Sequence, residues 1–195
     1  GVQVLGIDRE RKEIVTSAGR QPYDQLILAT GSYPFVPPIS GAEGSARLVY
    51  RTLDDLDSIR AAASGAKRGV VVGGGLLGLE AHGVEFAPRL MPVQLDCEGG
   101  AALKARIEAL GVGVHLSRAT QEIVTGEDYA WRMNFTDGEF LETDLIVFSA
   151  GIRPQDALGH VAELEIAPRG GIVIDSECRT SDPAIFAIGE CASWN

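Results

Sequence analysis

Apolar residues in this chain gather into short unbroken runs, and each run stops at a glycine. Gln25-Leu26-Ile27-Leu28-Ala29 stops at Thr30-Gly31, and Val70-Val71-Val72 stops at Gly73. Leu145-Ile146-Val147-Phe148-Ser149-Ala150 stops at Gly151, and Ile185-Phe186-Ala187-Ile188 at Gly189-Glu190. Runs that are apolar at every position, without alternation, predict parallel strands buried on both faces. Between them lie helical patterns. Thr52 is placed to cap a helix, Asp55 occupies the capping-box position, and Leu53, Leu56, Ile59 and Ala63 form an apolar stripe ending before Gly65. A second helix is predicted over residues 99–110 from Leu103, Ile107 and Leu110, with Gly111 as its stop. Residues 112–116 read as a strand. Residues 2–16 read as a hairpin turning at Asp8-Arg9-Glu10-Arg11-Lys12. Residues 123–124, 131–135 and 140–141 form a β-meander with a turn at Thr136-Asp137-Gly138. The proline-rich stretch 33–39 is an extended connector and the best candidate for a domain boundary. Strands alternating with helices predict an α/β fold whose ligands sit at the carboxyl ends of parallel strands.

Gly73-x-Gly75-x-x-Gly78 follows a predicted strand and opens a predicted helix, the context in which such glycines cradle a dinucleotide pyrophosphate. Glu85 closes the next strand-like piece. A carboxylate there would accept bonds from adenosine ribose hydroxyls and repel a 2′-phosphate, favouring NAD(H) over NADP(H). Its position is unusual, because it lies 12 residues after Gly73 where about 20 are ordinary. Residues 75–81 supply only about 10 Å of helix at 1.5 Å per residue, too short to cross a sheet and return. Either residues between Ala81 and His82 are missing from the sequence or the segment is deleted. We favour omission, because strands and helices resume in phase on both sides.

Composition narrows the function further. The 195 residues carry a formal charge of −10 with pI ≈ 4.7, which argues against nucleic acid or an anionic membrane as a partner. No apolar run approaches the length of a membrane span, and no signal peptide opens the chain. The 24 glycines are spread among apolar runs, as tight turns in nucleotide-binding proteins require. Cys97, Cys178 and Cys191 are far apart and form no C-x-x-C pair, so no metal site is expected and a reducing cytoplasm suits them better than a disulfide scaffold. His82, His115 and His160 are scattered and read as structural. The chain starts at Gly1 on a strand-like stretch, as an excerpt from something longer would.

Taken with the central glycine turn, ATGSYPFVPPI (29–39), VYRTLDDL (49–56), GVVVGGGLLGLEA (69–81), VEFAPRLMPVQLD (84–96), IVFSAGIRP (146–154) and TSDPAIFAIGECASWN (180–195) resemble the two-dinucleotide flavoprotein oxidoreductases. Within that family they are most similar to the large subunits of assimilatory NAD(P)H-dependent nitrite reductases, and the stretch 84–96 is the most discriminating. The resemblance implies a Rossmann-like, three-layer FAD/NAD(P)-binding fold in which an NAD domain is inserted into a partial FAD domain. Residues 1–43 would be the later part of the first FAD segment, 44–149 the NAD domain, and 150–195 the returning FAD segment. It implies hydride transfer from NADH to FAD, with electrons passed on to iron–sulfur and sirohaem centres outside this chain. The cofactors would carry the chemistry, so no side chain is nominated as catalytic.

Carried over by the resemblance, Ala29, Thr30 and Gly31 would approach FAD, with Val4 near its adenine and Arg51 beside the flavin cofactor. Gly189 and Glu190 match a Gly-Asp pair whose carboxylate holds a ribitol hydroxyl, with glutamate as a departure. Glu80 would face the nicotinamide, and Gly151 would lie near the point where nicotinamide and flavin meet. Gly73, Gly75, Gly78 and Glu85 would bind NAD. Arg51 has a surface ion pair as its plainer reading, and Glu80 an exposed helix position. A homodimer is admitted. Two other functions stay open: a rubredoxin- or ferredoxin-type NADH reductase core, and a fragment that binds nucleotide weakly and catalyses nothing.

Overall fold

In the computed structural model, residues 1–43, 48–73 and 82–194 are described. Gly75, Gly78 and Glu80 lie outside these residues. By internal contacts the chain forms two units. One comprises Gly1–Tyr33 with Ile152–Asn195, and the other is Pro34–Gly151.

The runs that end in glycine build the second unit. Leu48–Val49, Leu145–Phe148, Gly69–Val72, His82–Val84 and Val114–His115 form, in that order, a five-stranded sheet in which every pairing is parallel. Val70, Val71 and Val72 are all buried, as are Ile146, Val147 and Phe148, so both faces of the central strands are covered. One face packs on the β-meander of Thr120–Thr125, Trp131–Phe135 and Phe140–Thr143. Val70, Val72, Val84, Ile146 and Phe148 meet Ile123, Met133 and Phe135 in a single core cluster. The helix Cys97–Glu108 places Ile107 against Leu90 and Val114 in a smaller cluster.

Polar side chains fix how the central strands begin. The Asp144 carboxylate accepts the amides of Lys67 at 2.7 Å and Arg68 at 3.3 Å. The fully buried Thr143 hydroxyl lies within hydrogen-bond distance of the Arg68 and Leu145 carbonyls. Together they lock the register of Gly69–Val72 on Leu145–Phe148.

The first helix runs over Leu53–Ala63 with the expected capping box. Thr52 Oγ1 accepts the Asp55 amide, and the Asp55 carboxylate accepts the Thr52 amide. Its apolar stripe is narrower than the sequence suggests. Leu53 is 79% exposed and only Leu56 and Ile59 are half-buried. The second helix starts at Cys97, because Asp96 caps it through the Gly99 amide at 2.7 Å. It ends before Leu110, which is 81% exposed. The strand expected over 112–116 is confined to Val114–His115.

In the first unit, Val4–Asp8 and Glu13–Thr16 form the expected hairpin, and a third strand, Gly19–Pro22, extends it. Leu26–Leu28 pairs in parallel with Ile185–Ala187, and Ile172–Ile174 pairs in parallel with Ala192–Trp194. The core is formed by Ile7, Leu28, Ala162, Leu164, Ile172, Ile185, Ala187 and Cys191. An ion pair joins the hairpin turn to the rest of this unit. Arg9 Nε meets Asp182 Oδ2 at 2.7 Å while its Nη1 donates to the Ala162 and Glu163 carbonyls.

Candidate functional site

Parallel strands bring their carboxyl ends to one edge, and the expected binding residues gather at two such edges, one in each unit.

In the second unit, four neighbouring strands carry Arg51, Gly151, Gly73 and Glu85 just beyond their carboxyl ends. Gly73 has φ +120°, and a Cβ at this position would collide with the Ser149 carbonyl oxygen. Both the backbone angle and the close approach therefore demand glycine at this turn. Its amide donates to the Val84 carbonyl at 2.8 Å, while the Ser149 amide donates to Val72 at 2.9 Å, so the three strand ends are knitted together. Glu85 accepts the Ala87 amide through Oε1 at 2.8 Å, and its own amide donates to His115 at 2.9 Å. The carboxylate is half-buried and held at the strand end. Arg89, four residues on, is committed to its own loop, donating to the Pro92 carbonyl at 2.9 Å and the Leu95 carbonyl at 3.3 Å. The Arg51 amide donates to Asp55 at 3.2 Å, and its side chain is exposed.

In the first unit, the parallel pair Leu26–Leu28 and Ile185–Ala187 sets Ala29, Thr30 and Gly31 beside Gly189 and Glu190. Gly31 and Gly189 take φ +70° and +75°, with open space where a Cβ would be. They are needed for the backbone turn alone. Two residues absent from the sequence reading complete this edge. Ser32 Oγ donates to Glu190 Oε2 at 2.8 Å. Gln155 is bound from both sides, its carbonyl accepting the Thr30 hydroxyl at 2.5 Å and its amide donating to the Gly31 carbonyl at 2.9 Å. Thr30 therefore spends its only hydroxyl proton inside the protein. The Thr-Gly-Ser sequence was the available signal for Ser32; nothing marked Gln155, whose partner lies 125 residues away. Val4 lies on the antiparallel hairpin, in register with Thr16.

A cavity of about 530 Å³ in the first unit is lined by Ile7, Asp8, Arg9, Glu10, Val161, Ala162, Glu163 and Asp182. It lies toward the amino end of Ile185–Ala187, opposite Glu190. Arg9, its cation, is already committed to Asp182. Among the described residues no group of His, Cys, Asp or Glu could hold a metal ion, and no helix is long and apolar enough to cross a membrane.

Positive-φ glycines beside exposed hydroxyls and carboxylates suit a ligand rich in hydroxyl groups that the backbone must approach closely. These features define the class: an α/β protein of the Rossmann-like, dinucleotide-binding kind with parallel sheets. The chain belongs to the pyridine nucleotide-disulphide oxidoreductase family, whose model matches residues 1–195. It is 56% identical over 203 residues to the nitrite reductase [NAD(P)H] large subunit of Klebsiella oxytoca, covering 98% of this chain and 21% of that protein. It is 53% identical over 208 residues to the nitrite reductase (NADH) large subunit of Escherichia coli (strain K12), covering 100% of this chain and 25% of that protein. The ferredoxin reductase for the CYP199A2 system from Rhodopseudomonas palustris superposes with a TM-score of 0.91 at 30% identity, over 100% of this chain and 50% of that one. The chain thus spans about a fifth to a quarter of the length of the two nitrite reductase relatives.

Proposed function

We propose that this chain is the NADH-oxidising flavoprotein module of a nitrite reductase large subunit. The observation that carries the reading is the gathering of Gly73, Glu85, Gly151 and Arg51 at one carboxyl edge and of Thr30, Gly31, Gly189 and Glu190 at another. Each edge is of the kind that binds a dinucleotide. The 56% identity to a nitrite reductase large subunit, against 30% to the ferredoxin reductase, favours the nitrite-reducing assembly as the electron destination.

When bound, FAD would supply the two-electron acceptor and one-electron donor chemistry that links NADH to iron–sulfur and sirohaem centres outside this chain. The residues of this chain bind and orient. Gly73, with Gly75 and Gly78, lets backbone amides approach the NAD pyrophosphate, and Glu80 is assigned to the carboxamide. Glu85 accepts from the adenosine ribose and disfavours a 2′-phosphate, and Arg89 is already engaged by loop carbonyls, so NADH is preferred to NADPH. Ala29, Thr30, Gly31, Gly189 and Glu190 hold the FAD side, with Val4 assigned to its adenine, Arg51 to the flavin cofactor, and Gly151 to the neighbourhood where nicotinamide and flavin meet. The unit Gly1–Tyr33 with Ile152–Asn195 is then the FAD-binding part, and Pro34–Gly151 the NAD-binding part. Three free thiols and the acidic charge support a cytoplasmic protein that binds neither nucleic acid nor membrane; a homodimer is part of this reading.

The test is diaphorase activity of the full-length, FAD-loaded protein with ferricyanide as a one-electron acceptor. Turnover with NADH that exceeds turnover with NADPH is expected. No NADH oxidation would overturn the proposal.

A further inference from the structure

Glu190 follows the strand Ile185–Ala187 on a single 3-10 turn, Gly189–Cys191, and it is solvent-exposed. An exposed glutamate on a short turn has three rotatable side-chain bonds and loses considerable freedom when it must hold one direction. In this protein a residue from the other end of the chain removes that freedom. Ser32, 158 residues away in sequence, donates its hydroxyl to Glu190 Oε2 at 2.8 Å.

Ser32 is itself held. The residue before it, Gly31, accepts the Gln155 amide, and Thr30 donates to the Gln155 carbonyl. The parallel pairing of Leu26–Leu28 with Ile185–Ala187 fixes the two turns side by side, and the Ile188 amide donates to the Leu28 carbonyl at 2.9 Å. Buried beneath them, Cys191 Sγ lies 3.4 Å from the Leu28 carbonyl and 3.3 Å from the Ile188 carbonyl. Ser32 therefore presents its Oγ from a backbone tied at several points.

A hydroxyl donated to a carboxylate is a charge-assisted bond. It uses one of about four acceptor sites on that group. A ligand hydroxyl can therefore donate to the carboxylate alongside Ser32 and meets it in a fixed orientation. From this arrangement, and resting on the FAD reading above, we infer that Ser32 is a positioning residue. It aims the Glu190 carboxylate so that it receives hydroxyls of the polyhydroxylated chain of FAD.

The experiment measures FAD binding directly, by titrating deflavinated full-length protein with FAD and following flavin fluorescence. Ser32→Ala is expected to weaken binding about tenfold, the worth of one hydrogen bond to a charged group. The thermal midpoint of the deflavinated protein should stay at its parent value. Ser32→Thr, which keeps the hydroxyl, restores binding to within about twofold. Glu190→Gln weakens binding by about tenfold or more. In that background Ser32→Ala adds less than about twofold, because the two residues act as one unit. If Ser32→Ala binds FAD like the parent while Glu190→Gln does not, Glu190 needs no positioning and this inference falls, with the FAD reading intact. If neither substitution changes binding, the inference and the role of Glu190 fall together. If the parent holds no FAD, the proposed function itself is overturned.

Discussion

A methyl group at Gly73 would meet the Ser149 carbonyl oxygen and stand 3.0 Å from Ala150 Cα. The residue would also sit at a φ that side chains rarely adopt. Gly73→Ala should therefore cost roughly 3 kcal/mol of stability and abolish NADH binding, checked by thermal denaturation and by NADH titration. Gly189→Ala, with a positive φ but open space, should cost only about 1 kcal/mol. Asp182 gives a residue-scale prediction in pH. Its hydrogen bond from Arg9, then the amide of Ala184, hold its carboxyl below the ordinary aspartate value. A depressed folded value means stability that is present above the unfolded value and lost as pH falls through the folded one. Asp182→Asn should thus destabilise the protein near neutrality and flatten the acid limb of the stability profile, read by denaturation at a series of pH values. At this scale the sequence disclosed glycines and carboxylates that punctuate strands, because their local pattern is self-evident. Ser32, Gln155 and the Arg9–Asp182 pair were not legible. Their meaning depends on partners 125 to 173 residues away.

Among the elements, Thr52 and Asp55 behave as their spacing predicts, and Thr52→Ala should cost about 1 kcal/mol, read as a lower denaturation midpoint. The meander has its own anchor. Glu142, buried on the third strand, accepts the Glu127 and Asp128 amides at 3.0 and 2.9 Å, and these bonds, that from Glu127 first, lower its pKa. The runs at residues 70–72 and 146–148 were readable as buried strands because burial on both faces leaves no polar gap in the sequence. Leu26–Leu28, expected to be covered on both faces, instead leaves Ile27 60% exposed. Strands such as Gly19–Pro22 and Ala192–Trp194 carry too few apolar residues for any periodicity to register. The pairing of Gly69–Val72 with His82–Val84 raises a question of length. The strands are parallel and only the nine residues 73–81 separate them, whereas a parallel crossover needs about a dozen or more. The match to the Escherichia coli large subunit runs over 208 positions against 195 residues here, a surplus of 13. A longer connection between Ala81 and His82 is therefore expected in the purified protein. Peptide mapping by mass spectrometry checks this. A peptide joining Glu80-Ala81 directly to His82-Gly83 would contradict it.

At the scale of the molecule, two α/β units are threaded so that the second is inserted into the first, and each collects its glycines and carboxylates at the carboxyl ends of parallel strands. That architecture follows from buried runs ending in glycine, and the family match over the whole chain agrees with it. The proposed reaction is the reduction of bound flavin by NADH. The most direct measurement is anaerobic mixing of the full-length, FAD-loaded protein with NADH while the visible flavin absorption is followed. Stoichiometric bleaching of the flavin by NADH is expected, slower with NADPH and lost in Gly73→Ala. A flavin that stays oxidised in the presence of excess NADH would contradict it.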